Sequence, residues 1–233
     1  DAALQTAVRR ALSLNATEPV LKSRLASLTT LQVSSAGIQQ LQGLQFATGL
    51  RRLNANNNQI TDLSPLKNLL QLTDLELSKN PLQDLAPLAA LSLQTLDIAN
   101  TKVADLSALA SMPLITLDVS STGILNIAAL QNVSALRYLS ASYTKLADLT
   151  PLQTATKLQS LYLYSTWVSK LEPLLSSGLN NRATVLRVSG CIDQKGYSRA
   201  TLVLNQLKAA GADAQDGTTE LSDCPDTLGS TAI

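Results

Sequence analysis

Leucine and other aliphatic side chains return along this chain at fixed intervals. In residues 50 to 71, LRRLNANNNQITDLSPLKNLLQ, apolar positions fall at Leu50, Leu53, Ala55, Ile60, Leu63, Leu66 and Leu69, and the same series restarts at Leu72. Units begin at Leu28, Leu50, Leu72, Leu93, Leu114, Leu136 and Leu158, at spacings of 22, 22, 21, 21, 22 and 22 residues, and a degenerate eighth opens at Ala183. Such a period marks a solenoid, in which each unit buries its apolar face only against its neighbours. The first half of a unit alternates with period two, which predicts a short strand with its leucines inward. The second half carries DLSPL, DLAPL, DLTPL or LEPL, placing Pro65, Pro87, Pro151 and Pro173 where a helical turn would begin, a position that favours proline. Asp62, Asp84, Asp105 and Asp148 precede these turns and suit their positive N-terminal ends. A metal-binding column of these aspartates is the rival reading, but the pattern supplies no partner ligands one repeat away.

The ninth position of each unit holds Ala36, Asn58, Asn80, Thr101, Thr122, Thr144, Thr166 and Cys191. An inward amide or hydroxyl at the corner between strand and turn satisfies backbone groups that the turn would bury unpaired. This is a structural ladder, not a catalytic row.

An open stack of repeats needs caps at its apolar ends. Leu4, Val8 and Leu12, with Ala7 and Ala11, form one apolar stripe, and Thr17, Glu18 and Pro19 signal a second helix leading into the first repeat. Downstream, YSRATLVLNQLKAAG reads as an amphipathic helix with Ala200, Val203, Leu204, Leu207 and Ala210 on one side and Gly211 as its stop. The chain thus divides into an N-terminal helical cap at 1–27, repeats at 28–191, and a C-terminal cap at 192–233. That last cap has a helix near 197–210 followed by a polar, strand-poor tail.

The 22-residue period, the I-T-D-L-S-P-L-x-x-L half-repeat and the helical N-terminal cap together resemble the bacterial internalin-type leucine-rich-repeat proteins. The same repeat length is similar to that of the eukaryotic phosphatase-regulating type. The resemblance covers about residues 1 to 191. It implies an α/β solenoid: a curved right-handed horseshoe with a parallel concave sheet, short helical turns on the convex side, and helical caps at both ends. It also implies a protein exported to the cell surface or beyond, its signal peptide removed, that binds a protein of a host or neighbouring cell through the concave sheet.

Composition narrows the function classes. Of 233 residues 45% are hydrophobic but 3% aromatic, so the core is aliphatic. Eighteen basic and seventeen acidic residues leave a net charge of +1 with no Lys/Arg run, so the electrostatic footprint of a nucleic-acid binder is missing. No apolar run reaches the roughly 20 residues that cross a bilayer. Histidine is absent, which removes Ser-His-Asp and Cys-His nucleophile systems and most zinc sites. Glu76 and Asp97 could approach the roughly 5 Å separation of a retaining glycosidase pair, but an open sheet offers no cleft to push their pKa values apart. The chain is expected to be no enzyme, to take no cofactor or metal, and to be a monomer.

Two features remain for recognition. Stacking the strands puts Glu76, Asp97 and Asp118 in one column, a solvated face or a docking strip for a basic segment. Arg51 and Arg52 lie beside Asp74 and Glu76 as solvated ion pairs. Further along come Tyr138, Tyr143, Tyr162, Tyr164 and Trp167, concentrated in two adjacent repeats of a chain otherwise poor in aromatics. Tyrosines pack well on half-exposed sheets, but Tyr and Trp also dominate interface hot spots and stack on sugars. The expected partner is therefore a protein or a glycan. The two cysteines, Cys191 and Cys224, bracket the terminal cap; a bridge between them would stabilise that end by roughly 3 to 4 kcal/mol and imply an oxidising compartment. The alternative is a buried thiol at the ladder position and a free one in the tail. With reduced cysteines, an intracellular scaffold or regulator of the phosphatase-regulating type is the competing function.

Overall fold

The computed structural model describes residues 1–168, 170–180, 185–190 and 197–216. One strand forms per unit: β1 Thr30–Gln32, β2 Arg52–Asn54, β3 Asp74–Glu76, β4 Thr95–Asp97, β5 Thr116–Asp118, β6 Tyr138–Ser140, β7 Ser160–Thr166 and β8 Val185–Gly190. A ninth, β9 Asp213–Asp216, follows the C-terminal helix. All nine pair in parallel, in chain order, as a single open sheet. The register is strict: Leu31, Leu53, Leu75, Leu96, Leu117, Leu139, Leu161 and Leu186 line up as one row and are fully buried. Their alternate neighbours face out, the period-two consequence of an extended backbone.

A single tight turn closes the second half of each repeat as a 3-10 segment, among them Ser64–Leu66, Ala86–Leu88, Ser107–Leu109 and Ala128–Leu130. Pro65, Pro87, Pro151 and Pro173 stand at the opening positions of theirs. The aspartate before each turn accepts the N–H two residues on: Ser64 to Asp62 at 2.8 Å, Ala86 to Asp84 at 2.8 Å, Ser107 to Asp105 at 2.9 Å and Thr150 to Asp148 at 2.9 Å. The hydroxyl and N–H of Ser64 hold Asp62 below the usual carboxylate range. The N–H and hydroxyl of Ser107 do the same for Asp105, and the hydroxyl and N–H of Thr150 for Asp148. These carboxylates are local turn caps.

The ladder has two chemistries. Asn58 accepts from the N–H of Ala36 and Ile38 and donates to the carbonyls of Val33, Ala55 and Asn56. Asn80 accepts from Ile60 and donates to Ala55, Leu77 and Ser78. Both amides therefore join their own repeat to the preceding one. Thr101, Thr122, Thr144 and Thr166 instead donate to Ile98, Val119, Ala141 and Leu163, each three residues back in the same unit.

At the N-terminal end, α1 Ala2–Ala11 buries Leu4 and Val8 against the first repeat, with Ala3, Ala7 and Leu12 partly covered, while Ala11 is exposed. Asp1 caps this helix through Leu4 N–H and also accepts from Gln39 and Gln40. Thr17 and Glu18 do not start the second helix. They close a loop around Asn15, whose side chain accepts from both backbone N–H groups, and α2 begins later, at Lys22–Ala26. At the other end α3 Tyr197–Ala209 buries Val203, Leu204 and Leu207, while Ala210 is exposed. Gly211 ends it at φ 98°, its N–H on Lys208 and that of Ala212 on Leu207, a left-handed stop suited to glycine. The chain then re-enters the sheet as β9, so ADAQD is a strand, where polarity alone suggested none. Its pairing with β8 explains this: Ala214 lies beside Leu186 and is buried. Cys191, Cys224, Ala183 and the tail beyond 216 lie outside the described residues.

The two ladders predict different sensitivities. Asn80→Thr keeps a bond to Leu77 within reach but orphans the buried Ile60 N–H, and should lower unfolding free energy by about 1–3 kcal/mol. Thr101→Val removes one local bond, to Ile98, and should lower it by about 1 kcal/mol. Urea denaturation of the whole chain, read as midpoint at constant slope, separates them.

Candidate functional site

Pleating presents two outward rows on the concave face. The first runs Thr30, Arg52, Asp74, Thr95, Thr116, Tyr138, Ser160, Val185 and Asp213; the second runs Gln32, Asn54, Glu76, Asp97, Asp118, Ser140, Tyr162 and Arg187. Glu76, Asp97 and Asp118 thus stand on three consecutive strands, where like charges side by side oppose one another. Glu76 is held by the side-chain amides of Asn54 at 2.6 Å and Asn56 at 3.0 Å, not by arginine. The one ion pair nearby joins Arg52 to Asp74 at 3.7 Å, and its exposure leaves it weak. Asp97 accepts from Ala99 N–H at 3.0 Å and Asp118 from Ser120 N–H at 2.9 Å. Burial pushes the Asp97 carboxyl above the usual carboxylate range, with the charges of Asp118 and Glu76 adding to the effect.

The aromatic residues fall into two sets. On the sheet, the Tyr138 and Tyr162 rings meet at 5.4 Å between centroids and the Tyr162 and Tyr164 rings at 6.4 Å, both tilted. These three are half-buried, above the buried Ser140 and Ser142, small residues that leave room for rings to lie down. Burial, then the charge of Asp118, raises the Tyr138 phenol above its ordinary value. The second set, Tyr143 and Trp167, lies off the sheet at the strand-to-turn corner, 62% and 43% exposed. Trp167 carries Lys145 Nζ at 5.4 Å from its ring centre. Tyr143 has φ 57°, in a column of left-handed residues whose other members are Ser35, Asn57, Lys79, Asn100, Ser121 and Ser165.

Arg187 belongs to this surface and escaped the sequence reading. It stands beside Tyr162 in register, donates to Asp213 Oδ2 at 2.7 Å and to the Asp213 carbonyl at 2.8 Å, and has its guanidinium pKa raised by that carboxylate. The fifth position of the degenerate unit was the available signal. Cavities are elsewhere: one of about 410 Å³ lies between α1 and the first turn, one of about 300 Å³ between the turns of Asp84 and Asp105. Neither borders the carboxylate row, which stays on an open sheet.

Residues 48–90 match the family model for leucine-rich repeats in two copies. Over 95% of its length the chain is 31% identical to internalin C2 of Listeria monocytogenes, covering 87% of that protein with a TM-score of 0.77. A second internalin of that organism, InlF, is 30% identical over 86% of the chain, which spans 60% of it, at a TM-score of 0.76. A leucine-rich-repeat protein of Leptospira interrogans shares the fold at 19% identity, a TM-score of 0.60, and coverage of 83% of this chain and 55% of that one.

Two substitutions test the energetics of this face. A carboxyl whose folded pKa is raised weakens the fold once ionised, so its effect is present above that pKa and vanishes as pH falls below the ordinary carboxylate range. Asp97→Asn keeps an acceptor for Ala99 and should raise the melting temperature at pH 7, with the gain fading by pH 3; parallel melts across pH check this. Tyr143→Asn, matching Asn57 and Asn100, should stabilise by about 1 kcal/mol, since a left-handed backbone disfavours a bulky side chain; chemical denaturation reads it.

Proposed function

Because the chain belongs to the internalin-type leucine-rich-repeat proteins, we propose that it is a non-enzymatic binding module, exported to the cell surface or beyond. It takes a protein partner on its concave face. The observation that carries this reading is the run of Tyr138, Tyr162 and Tyr164 across β6 and β7. The repeat itself needs its aliphatic rows and its ladder of asparagine and threonine, which hold the core and the corners, so the tyrosines are additions to a fold complete without them. Tyr provides large, stiff contact area with a polar tip, the character of an interface anchor. Beside them the Glu76, Asp97 and Asp118 row supplies a negative field that steers an approaching basic segment and sets its register. No helix among the described residues is long and apolar enough to cross a membrane.

The binding test uses a partner identified by crosslinking the chain to intact cells and then purified. Tyr162→Ala and Tyr164→Ala should each weaken its affinity by about thirtyfold or more, the weight of a hot-spot aromatic, with an unchanged melting temperature. Glu76→Gln with Asp118→Asn should mainly slow association at low salt. Normal binding by both tyrosine variants would move the site off this face. Protease treatment of intact producing cells tests export: degradation is expected, and a protected cytosolic pool would favour the regulatory scaffold.

A further inference from the structure

The corner carrying Tyr143 and Trp167 has a chemistry separate from the concave face. Along the same edge, Lys79, Lys102 and Lys145 are exposed, and none enters an ion pair among the described residues. Lys79 occupies the left-handed position of its unit, as Tyr143 does. Lys102 and Lys145 occupy the position just after the ladder threonine, as Trp167 does. Register therefore sets these five side chains in two columns flanking the ladder, Lys79 and Tyr143 in one and Lys102, Lys145 and Trp167 in the other, across rungs about 4.8 Å apart, so that the edge spans about 20 Å. The aspartates that follow on the turns are engaged with turn N–H groups, Asp84 with Ala86, Asp105 with Ser107 and Asp148 with Thr150.

Two observations set this edge apart from ordinary surface. Tyr143 keeps a strained backbone where serine, asparagine or lysine serves the other repeats, and such strain persists where function uses the side chain. The chain's single tryptophan is 43% exposed at the corner of the next repeat, which stability does not require. Around the two rings the corner is low, with Ser121, Gly123 and Ser165 as neighbours in the two columns. Both rings are exposed, and Lys145 Nζ stands over one face of Trp167. An open ring face suits a flat sugar, whereas a peptide anchor gains most of its energy inside a desolvated pocket.

We propose that this edge is a binding site for an acidic oligosaccharide, which stacks a sugar ring on Trp167 and Tyr143 and places successive anionic groups against Lys145, Lys102 and Lys79. Attraction of this kind weakens with salt. The edge lies beside the concave sheet but does not include it, so the two readings succeed or fail independently.

The sole tryptophan makes the site its own reporter. The whole chain is titrated with a sulfated heparin-type octasaccharide, an oligogalacturonate, a neutral oligosaccharide of equal length and an oligoglutamate, following intrinsic fluorescence at two salt concentrations. The expected result is a saturable shift with one or both acidic sugars, weakening at higher salt, and at least tenfold weaker binding of the neutral sugar and of oligoglutamate. The ratio between the two acidic sugars tells sulfate from carboxylate recognition. Lys79→Ala, Lys102→Ala and Lys145→Ala combined, and Tyr143→Asn alone, should each weaken binding at least tenfold, while Tyr162→Ala leaves it unchanged. Absence of a response to both acidic sugars, oligoglutamate binding as tightly, or loss through Tyr162→Ala but not Tyr143→Asn would each overturn the proposal. Tyr143→Asn relieves backbone strain, so loss of binding in that variant is not a folding defect.

Discussion

A three-residue strand cannot hold its own place; only its neighbours can. Across most of the sheet each pairing joins three residues with three, and the central leucine of each is sealed from water. A slip of one residue would turn that leucine outward and bring its polar neighbours into the core. The hydrophobic row therefore dictates the register, and the register dictates everything on the outer face. Glu76, Asp97 and Asp118 share a row, and Tyr138 meets Tyr162, because the leucines between them are locked in step.

That dependence also accounts for how much could be read from residues alone. The leucine period located the strands from Thr30 to Thr166 and both rows of the face, since a solenoid turns sequence spacing directly into spatial order. The prolines and aspartates of the turns were equally legible, because their chemistry is spent within two residues. Legibility failed where tertiary contact overrides local pattern. ADAQD has the composition of a loop and becomes a strand because β8 offers it an open edge. Thr17, Glu18 and Pro19 look like a helix start, but Asn15 captures the N–H groups of Thr17 and Glu18 first. Arg187 was missed because its unit opens on Ala183 in place of a leucine, and the ring contact of Tyr138 with Tyr162 depends on a diagonal that periodicity does not describe. The separation of the aromatics into a sheet set and a corner set follows from backbone φ at Tyr143, a quantity no residue pattern announces for tyrosine.

The outer surface is where this protein tolerates arrangements its core would not. Stacked carboxylates and a tyrosine in a left-handed corner both work against the fold, and they lie on β3 to β5 and at the corner after β6. The surplus stability of the continuous aliphatic core allows them. Repeats supply that surplus cheaply in sequence terms, since each added rung brings another set of buried leucines while leaving its outward residues unconstrained.

The change from asparagine to threonine along the ladder has an evolutionary consequence. A threonine rung completes its corner bond within its own unit, so a block of 21 or 22 residues cut from the middle of the array, or copied into it, leaves no neighbour with an orphaned group. An asparagine rung is stitched to the unit before it, and its removal strands a buried N–H next door. Recombination can therefore lengthen or shorten the threonine half at little cost, while the asparagine half is kept as a fixed foundation beside the N-terminal cap. The reach of the concave face is adjustable at one end only, and that is the end bearing the tyrosines.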